Sequence, residues 1–409
     1  MPTAPITSAE TSAAPRSRSP LVSWLAVLSV TAGIFAIVTT EILPVGLLTS
    51  IGADFTVSDG RAGLMMTLPG FLAAVCAPVV TVATARVDRR VMLGAFVLLL
   101  ATADFLAATA SGYWMMLVSR VLVGVTIGGF WSLAAGLAGR LVPAQKVGRA
   151  NAVIFSAVPL GSVLGVPLGT FVGDLAGWRT AFLVLGAFSL AVFVALLAVV
   201  PALPATRATR PDVLGAVLRG TGTRFALVLT FLVVLAHFGT YTYVTPFLER
   251  VTQARSGLVT ACLLIYGVAG VVGNFLGGAT VHRYPRATFA TAAAMIAAAV
   301  LLLPVLGRGD LGAVALLVVW GIAYGAVPVC SQTWFAKAAP GFPEASSVVF
   351  TASFQATFSL GALTGGVVID HSSPATVMTL GGCVAVLAVF VAWFHRARRI
   401  PFPAAPEQG

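Results

Sequence analysis

Long apolar runs dominate this sequence, and the short segments between them carry most of its charges. A helix crosses the hydrocarbon core of a bilayer with roughly 20 apolar residues, which is close to the length of these runs. Hydrophobic residues make up 58% of the chain and charged residues 9%, whereas a soluble domain carries about 25% charged residues. The composition therefore excludes an ordinary soluble enzyme, a disordered chain and a disulfide scaffold, and it indicates a multi-pass membrane protein.

Counting the runs predicts an all-α membrane protein with twelve transmembrane helices, which we name spans 1 to 12 in chain order. The runs cover residues 22–48, 61–84, 91–111, 114–138, 150–174, 180–200, 225–248, 257–280, 288–306, 312–335, 346–369 and 376–395. The longest polar segment between them, residues 201–224, separates two groups of six spans of nearly equal length. Two equal bundles joined by a long linker are typical of secondary transporters built from internal repeats.

This pattern divides the chain into five predicted segments. They are a disordered cytoplasmic tail at 1–20, a six-helix bundle at 21–200, a cytoplasmic linker at 201–224, a second six-helix bundle at 225–396 and a cytoplasmic tail at 397–409.

The basic residues predict that both termini lie in the cytoplasm and that the protein resides in the cell membrane. With the N-terminus inside, the outward segments hold only Arg61, Arg179, Arg250, Arg255 and Arg308. Every other Lys and Arg except Arg120, which lies within a span, is then on the inward side. This asymmetry follows the positive-inside rule, and an even number of spans agrees with it.

The net charge of +11 does not indicate nucleic-acid binding, because the arginines lie in short gaps between apolar runs and form no basic face. The four cysteines, Cys76, Cys262, Cys330 and Cys383, lie far apart inside apolar runs. We interpret them as small hydrophobic residues rather than as disulfides or metal ligands. The sequence has no phosphate-binding G-x-x-x-x-G-K-[ST] loop, so ATP is not the expected direct energy source. We expect no cofactor and no metal.

Three formal charges lie well inside predicted spans: Glu41 in span 1, Asp104 in span 3 and Arg120 in span 4. Charges inside a membrane are costly, so these residues are functional candidates. Each lies eight residues from an outer boundary, at Thr49 for Glu41 and at Gly112 for the other two. At 1.5 Å per residue all three are about 12 Å deep, so either acid can pair with Arg120. The hairpin formed by spans 3 and 4 favours Asp104.

His237 lies in the middle of span 7, in an otherwise apolar run. Histidine titrates near neutral pH, so His237 is a candidate proton relay. The alternative, which we prefer, is a neutral ring hydrogen-bonded to a neighbouring helix.

Seven sequence motifs resemble the major facilitator superfamily. They are TEILPVGLL (40–48), VDRR (87–90), SRVLVGVTIGGFW (119–131), GSVLGVPLGT (161–170), GWRTAF (177–182), YTYVTPFL (241–248) and WGIAYGAVPVCSQTW (320–334). Over nearly the whole chain, the sequence resembles the twelve-span drug:proton antiporter branch, and within it purine ribonucleoside efflux pumps and arabinose-type sugar efflux proteins. The resemblance implies the major facilitator fold and proton antiport by alternating access.

This resemblance also implies roles for charged residues. In the superfamily, spans 1 and 4 face the central cavity and span 3 is peripheral, which favours Glu41 over Asp104 as the partner of Arg120. Our hypothesis is that Glu41 is the proton-coupling acid, because burial disfavours its charge and Arg120 favours it. The alternative is a permanent structural ion pair. Asp88, Arg89 and Arg90 match the gating loop between spans 2 and 3, although both glycines of that loop pattern are absent.

Span 5 carries Gly161, Gly165, Gly169 and Gly173 at four-residue spacing. They make a smooth helix face that lets another backbone approach closely. Pro167 lies in the same stretch and is expected to bend the helix. The pattern resembles the antiporter motif of the superfamily, which lies where the two halves meet and implies a seal at the inner end of the cavity. Simple close packing is the alternative.

Polar and aromatic residues on several spans are candidates to line a central cavity. They are Trp131, Asn151, Tyr241, Tyr243, Tyr266, Asn274, Tyr324, Gln332, Trp334 and Gln355. Aromatic faces and amide groups suit a planar, hydrogen-bonding solute such as a nucleoside. Each residue is alternatively packed between helices. Tyr243, Trp334 and Trp114 are alternatively anchors at the membrane interface.

We therefore predict a secondary active transporter that exports a small organic solute, a purine nucleoside or a related compound, with multidrug, antibiotic or sugar efflux as alternatives. The histidines are scattered and no H-E-x-x-H or paired acidic motif is present, which disfavours an intramembrane enzyme. No re-entrant pore segment indicates a channel, and the short loops disfavour a membrane sensor. The expected partners are a small-molecule substrate, protons and the lipid bilayer, and we expect a monomer.

Overall fold

The computed structural model describes residues 19–83, 87–134, 137–203, 211–281 and 283–394. The predicted tail at 397–409, and the predicted tail at 1–20 apart from its last two residues, lie outside this part of the chain. The described residues form helices joined by short turns, with no strand among them. The all-α prediction is therefore confirmed.

Twelve helices of the described chain are long and apolar enough to cross a membrane, which confirms the predicted spans. Spans 1 to 6 are Pro20–Asp54, Asp59–Val80, Arg89–Ala108, Tyr113–Trp131, Val147–Ala176 and Trp178–Val199. Spans 7 to 12 are Thr221–Tyr241, Ser256–Val281, Pro285–Leu306, Asp310–Ala338, Ala345–His371 and Pro374–Trp393.

Local sequence explains several helix starts. Proline occupies the first turn of spans 1 and 9, where its missing N–H costs no helical hydrogen bond. Asp88 caps span 3, because its carboxylate accepts a hydrogen bond from the Arg90 backbone N–H at 2.8 Å. Span 2 begins with the short helix Asp59–Ala62 and continues as Leu64–Ala83. These signals fix where each span begins.

Between the spans, the described residues also form four short helices: Ala138–Leu141, the 3₁₀ turn Ala144–Lys146, Pro211–Arg219 and Val244–Arg250. The helix Pro211–Arg219 lies within the segment 201–224, which was predicted to be a polar linker. Its Val217 side chain is buried in an apolar cluster with Phe335 and Ala345. Residues 204–210 of that linker lie outside the described part of the chain.

The main packing pairs repeat between the two halves of the chain. In the first half, span 1 packs on spans 5 and 6, span 3 on spans 4 and 6, and span 2 on span 4. In the second half, span 7 packs on spans 11 and 12, span 9 on spans 10 and 12, and span 8 on span 10. Adding six to every span number of the first set gives the second set. The chain therefore forms two pseudo-symmetric six-helix bundles, as predicted.

Two span pairs make the main packing contacts between the halves: span 2 packs on span 11, and span 5 packs on span 8. The same shift of six converts one pair into the other, so the junction also has twofold pseudo-symmetry. We call the end of the molecule where spans 1 and 2 are joined the 1–2 end, and the opposite end the 2–3 end.

Glycines bring spans 8 and 10 into backbone contact in the second half. A Cβ on Gly325 would overlap the carbonyl of Gly270, and a Cβ on Gly321 would overlap the carbonyl of Tyr266. Helices in a membrane associate through such close packing rather than through a hydrophobic driving force, since lipid tails are as apolar as leucine. These glycines therefore hold the second bundle together.

Replacing Gly325 with leucine should destabilise the protein, because the new side chain forces spans 8 and 10 apart. Overpacking of this kind costs about 1–3 kcal/mol. The matched control is Gly278→Leu, at a position of span 8 where an added Cβ meets no atom within 4 Å. The measurement is the melting temperature of detergent-purified protein. Equal melting temperatures for the two variants would contradict this account of the packing.

Candidate functional site

Glu41 lies where the two halves meet and is hydrogen-bonded across the junction. The amide Nε2 of Gln355, on span 11, donates to Glu41 Oε1, on span 1, at 2.9 Å. Glu41 is 9% exposed and Gln355 is 6% exposed, so the bond is largely shielded from water. A buried carboxylate needs such a donor to offset its desolvation. The position of the bond makes the surroundings of Glu41 depend on how the halves are arranged.

Arg120 and Asp104 belong to a second buried group, which lies within the first half. Thr40 joins them: its Oγ1 donates to Asp104 Oδ2 at 3.1 Å, and its backbone carbonyl accepts from Arg120 Nη1 at 3.0 Å. Ser189 of span 6 also donates to Asp104 Oδ2, at 3.4 Å. Phe182 stacks on the guanidinium, 5.1 Å from its ring centroid. We call these five residues the Asp104–Arg120 cluster.

The structure places Arg120 with Asp104 rather than with Glu41. No hydrogen bond or ion pair between described residues joins Arg120 to Glu41, and the two charges of the cluster are linked through Thr40 without a direct ion pair. Asp104 Oδ1 and Arg120 Nε are both buried without a hydrogen-bond partner. The Asp104 carboxylate therefore retains a free acceptor position, and leaving this buried atom without a partner is energetically costly.

His237 is the centre of an aromatic cluster in the second half. Its Nδ1 accepts a hydrogen bond from the indole N–H of Trp320, at 3.1 Å. The ring stacks on Tyr324 with an interplanar angle of 7°, and also on Tyr241 and Tyr266. This geometry matches the preferred interpretation, a ring hydrogen-bonded to a neighbouring helix. We call these five residues the His237 cluster.

The His237 cluster lies next to Glu41. Val45, which lies one helical turn from Glu41 on span 1, belongs to the same buried apolar cluster as Tyr241 and Tyr266. Phe238, which follows His237 on span 7, packs on Phe354 and Phe358, and these two residues flank Gln355 along span 11. The Tyr266 hydroxyl is buried and has no hydrogen-bond partner. Glu41, Gln355 and the aromatic rings therefore form one continuous site between the halves.

Other predicted cavity residues lie elsewhere. Asn274 donates to the Gly325 carbonyl at 3.4 Å and so links spans 8 and 10. Trp131 stacks on Phe155. Asn151 is half-buried and Gln332 is exposed. None of these four contacts the His237 cluster through a described hydrogen bond or ring contact.

The three residues considered as interfacial anchors have different surroundings. Tyr243 is completely buried at the 1–2 end, where its hydroxyl donates to the Ala362 carbonyl at 2.7 Å. Trp114 is 70% exposed, as expected for an anchor at the membrane surface. Trp334 is half-buried against Phe225, with ring centroids 5.1 Å apart. Only Trp114 among them has an environment typical of an anchor.

The glycine face of span 5 packs on span 1, in the same half, and not where the halves meet. A Cβ added at Gly161, Gly165, Gly169 or Gly173 would approach Val38, Thr39, Leu43 or Leu47 respectively. The contact with span 8 is made by a different face, on which Val163 lies against Gly267. The expectation that these glycines form the junction is therefore corrected: their four-residue spacing gives one face, and span 1 occupies it.

Pro167 follows a π-helical turn at Gly161–Gly165. Proline has no N–H to donate to the carbonyl four residues earlier, so the regular helix is interrupted at this point, in line with the expected bend.

The loop before span 3 is tied to the end of span 6. Asp88 accepts a hydrogen bond from the Leu203 backbone N–H at 3.1 Å, and Arg89 N–H donates to the Leu203 carbonyl at 2.9 Å. The Arg90 guanidinium donates to the carbonyl of Leu197. These bonds hold the loop against its own half at the 2–3 end.

Polar contacts close the 1–2 end between the two halves. Arg250 forms an ion pair with Asp59 at 2.5 Å. Asp370 accepts hydrogen bonds from Ser58 Oγ and from the Gly60 N–H, at 2.7 and 2.9 Å. We call this group the 1–2 end contacts, together with the 3.0 Å hydrogen bond from Thr49 to Glu249. Partial desolvation raises the pKa of the Glu249 carboxyl.

Several members of the site were not among the sequence candidates. Trp320 lies four residues before Tyr324 on span 10, and a four-residue interval places two side chains on one helix face. This four-residue interval could have identified Trp320 as a neighbour of Tyr324 from the sequence alone. Thr40 and Ser189 carried no signal, because threonine and serine in membrane helices commonly bond to their own backbone.

Asp104 and Arg120 should be energetically coupled, although they form no direct ion pair. Removing either charge alone leaves the other buried without compensation. The combined Asp104→Asn and Arg120→Gln variant should therefore lose less stability than the sum of the two single variants. We expect a coupling of about 0.5–3 kcal/mol in a double-mutant cycle on thermal or denaturant unfolding. Additive losses would show that the two charges are independent.

Comparison with known families matches residues 25–352 to the Major Facilitator Superfamily. The purine ribonucleoside efflux pump NepI of Salmonella enteritidis is 29% identical over 369 residues, which cover 90% of this chain and 93% of the pump. The transcription regulatory protein OpdE of Pseudomonas aeruginosa is 32% identical over 373 residues, with 90% and 93% covered.

Solved structures share the fold. A bacterial homolog of the human lysosomal transporter Spinster, in an inward-facing and unoccupied conformation, aligns with a TM-score of 0.70 and 16% identity, covering 92% of this chain and 95% of the other. The human organic anion transporter MFSD10 aligns with a TM-score of 0.70 and 17% identity, covering 92% and 100%. With twelve spans, two pseudo-symmetric bundles and a family match over residues 25–352, this chain belongs to the Major Facilitator Superfamily of membrane transporters.

Proposed function

We propose that this protein exports a small organic solute in exchange for protons, by alternating access, and that Glu41 is its proton-coupling acid. The observation that carries the proposal is the hydrogen bond from Gln355 to Glu41 across the junction of the halves. Export is supported by the efflux pump among the relatives.

The coupling follows from the position of this bond. While the halves are in contact at this level, Gln355 stabilises the buried carboxylate of Glu41. When the halves separate there, the carboxylate loses its donor and either meets water or binds a proton. Protonation and the separation of the halves are then linked, since a proton binds with different affinity to the two arrangements.

Span 1 connects Glu41 with the Asp104–Arg120 cluster. Thr40 and Glu41 are adjacent residues, and adjacent side chains on a helix point about 100° apart. Thr40 therefore bonds to Asp104 while Glu41 bonds to Gln355. A rotation of span 1 that accompanies the rocking of the halves changes both sets of bonds. In this proposal Asp104 is a second proton acceptor, Arg120 balances its charge, and His237 is a structural member of the site.

The orientation of the chain in the membrane determines which side the 1–2 end contacts close. The positive-inside rule supports the cytoplasm for both termini and for the 2–3 end. The 1–2 end contacts then close the external side, which corresponds to a state open toward the cytoplasm. We assign the loop of Asp88, Arg89 and Arg90 to holding the cytoplasmic end of the first half, and the glycine face of span 5 to packing that half around span 1.

Aromatic rings at the site support a planar solute. Tyr324 is half-buried and has the His237 ring on one face, so part of its surface is open to a solute. The unpartnered hydroxyl of Tyr266 is a hydrogen-bonding group for that solute. A base stacked on an aromatic ring gains about 1–3 kcal/mol. A purine nucleoside fits this combination, and drug or sugar efflux are the alternatives.

Glu41→Gln should abolish transport driven by a pH gradient in proteoliposomes, because glutamine keeps the shape and hydrogen bonding of the side chain but binds no proton. Exchange of labelled solute against unlabelled solute, without a gradient, should persist. Asp310→Asn, which removes an exposed carboxylate at the start of span 10, is the matched control and should transport normally. Gradient-driven transport by Glu41→Gln at the wild-type rate would remove Glu41 from the mechanism.

The identity of the substrate can be tested by counterflow in proteoliposomes under an imposed pH gradient. The labelled solutes are inosine, guanosine, arabinose and a panel of antibiotics. We expect uptake of the two nucleosides. Tyr324→Leu should raise their KM about tenfold, in line with the loss of one stacking contact. Trp393→Leu, at a position 72% exposed on span 12, should leave KM unchanged. Transport of antibiotics or arabinose without inosine or guanosine would replace the nucleoside by that class.

A further inference from the structure

A groove on the outer surface of the second half is unused by the proposed transport site. It lies between spans 8, 9 and 10 toward the 2–3 end and has a volume of about 340 Å³. Its lining includes Gly273, Leu276 and Gly277 of span 8, Thr291 of span 9, and Ile322 and Ala326 of span 10. This volume is in the range of ligand-binding cavities, which are about 300–1,000 Å³.

Small residues create the groove. Gly273 and Gly277 of span 8 lie against Ile322 and Ala326 of span 10, so the two backbones form its floor without side chains that would fill it. Longer lining side chains include Leu276 and Tyr284, which are each 55% exposed. The groove is therefore an apolar depression open at the surface and not a packing defect closed inside the bundle.

The groove opens to the lipid side of the bundle. Val272 and Phe275, on the same helix, are 47% and 73% exposed, as are many apolar side chains on the outside of a membrane protein. Thr291 on span 9, which lines the groove, is also exposed. An occupant that enters from this side comes from the bilayer.

Two arginines stand at the end of the groove that faces the membrane surface. Arg283 and Arg286 flank Tyr284 and Pro285 at the start of span 9. Arg283 lies over the Tyr284 ring, 5.3 Å from its centroid. Neither arginine forms an ion pair with a residue of the described chain, and residues 281–291 contain no Asp or Glu. The end of an apolar groove thus carries two positive charges that have no acidic partner among the described residues.

We propose that this groove binds an anionic phospholipid, with one acyl chain in the groove and the phosphate on Arg283 and Arg286. Arginine binds phosphate oxygens with paired N–H donors, and basic pockets between membrane helices are suited to anionic headgroups. The lipid bridges spans 8, 9 and 10 and stabilises the second half. This inference rests on the membrane fold and is independent of the transported solute and of proton coupling.

Native mass spectrometry of the purified full-length protein tests the proposal. The lipid added is either dioleoyl phosphatidylglycerol or dioleoyl phosphatidylcholine. We expect the wild-type protein to retain phosphatidylglycerol preferentially. Arg283→Gln combined with Arg286→Gln should weaken its binding about tenfold to thirtyfold, since each basic residue near an anionic headgroup contributes about fivefold. Arg255→Gln, an exposed arginine at the 1–2 end of the same half, is the matched control and should bind as the wild type does.

A second variant separates the acyl chain from the headgroup. Thr291→Trp fills the groove at an exposed position and should weaken phosphatidylglycerol binding, whereas binding of inorganic phosphate alone would not respond to it. In the wild-type protein, phosphatidylglycerol but not phosphatidylcholine should raise the melting temperature. The proposal is overturned if the double arginine variant keeps the wild-type lipid preference, if Thr291→Trp binds phosphatidylglycerol as tightly as the wild type, or if both lipids stabilise the wild-type protein equally.

Discussion

The cost of placing charge in hydrocarbon governs this structure. Every formal charge deep within a span must be covered by the protein, since the hydrocarbon core of the bilayer offers neither water nor a counterion. Glu41, Asp104 and Arg120 meet that requirement in two ways. Asp104 and Arg120 are enclosed within the first half, where donors and acceptors of the same bundle surround them. Glu41 instead has its donor in the other half. Of the three charges, Glu41 is therefore the one whose environment depends on how the halves are arranged.

The contacts within each bundle differ in kind from the polar contacts between the bundles. Glycine-lined backbone packing holds each bundle together and is expensive to separate, as between spans 8 and 10. Contacts between the halves at the 1–2 end include an ion pair and hydrogen bonds near the surface, which water can replace at little cost, beside a buried apolar cluster that contains Leu48 and Tyr243. This construction suits the proposed alternating access, which requires rigid bundles and a junction that can open between them.

The sequence predicted the twelve spans and the two bundles, because apolar length and the position of the polar segment at 201–224 are properties of the chain itself. It did not predict which surfaces meet. The depth of Arg120 was compatible with either acid, and only the rotation of spans 1, 3 and 4 about their axes places it with Asp104. The same uncertainty affected the span-5 glycines, whose face turned out to be occupied by span 1. Periodicity defines a helix face, but the partner of that face is set by tertiary packing.

The distance between the halves at the 1–2 end tests the coupling through Glu41 most directly. Ala53 and Arg255 are both exposed and lie in different halves. Spin labels at these two positions, in a variant without the four native cysteines, report the distance between the halves by pulsed electron paramagnetic resonance. In the otherwise unchanged protein, a change of pH should shift the population between a short and a long distance. With Glu41→Gln the distribution should no longer respond to pH. A pH-dependent shift of the same size in both proteins would contradict the account, because another group would then link protons to the movement of the halves.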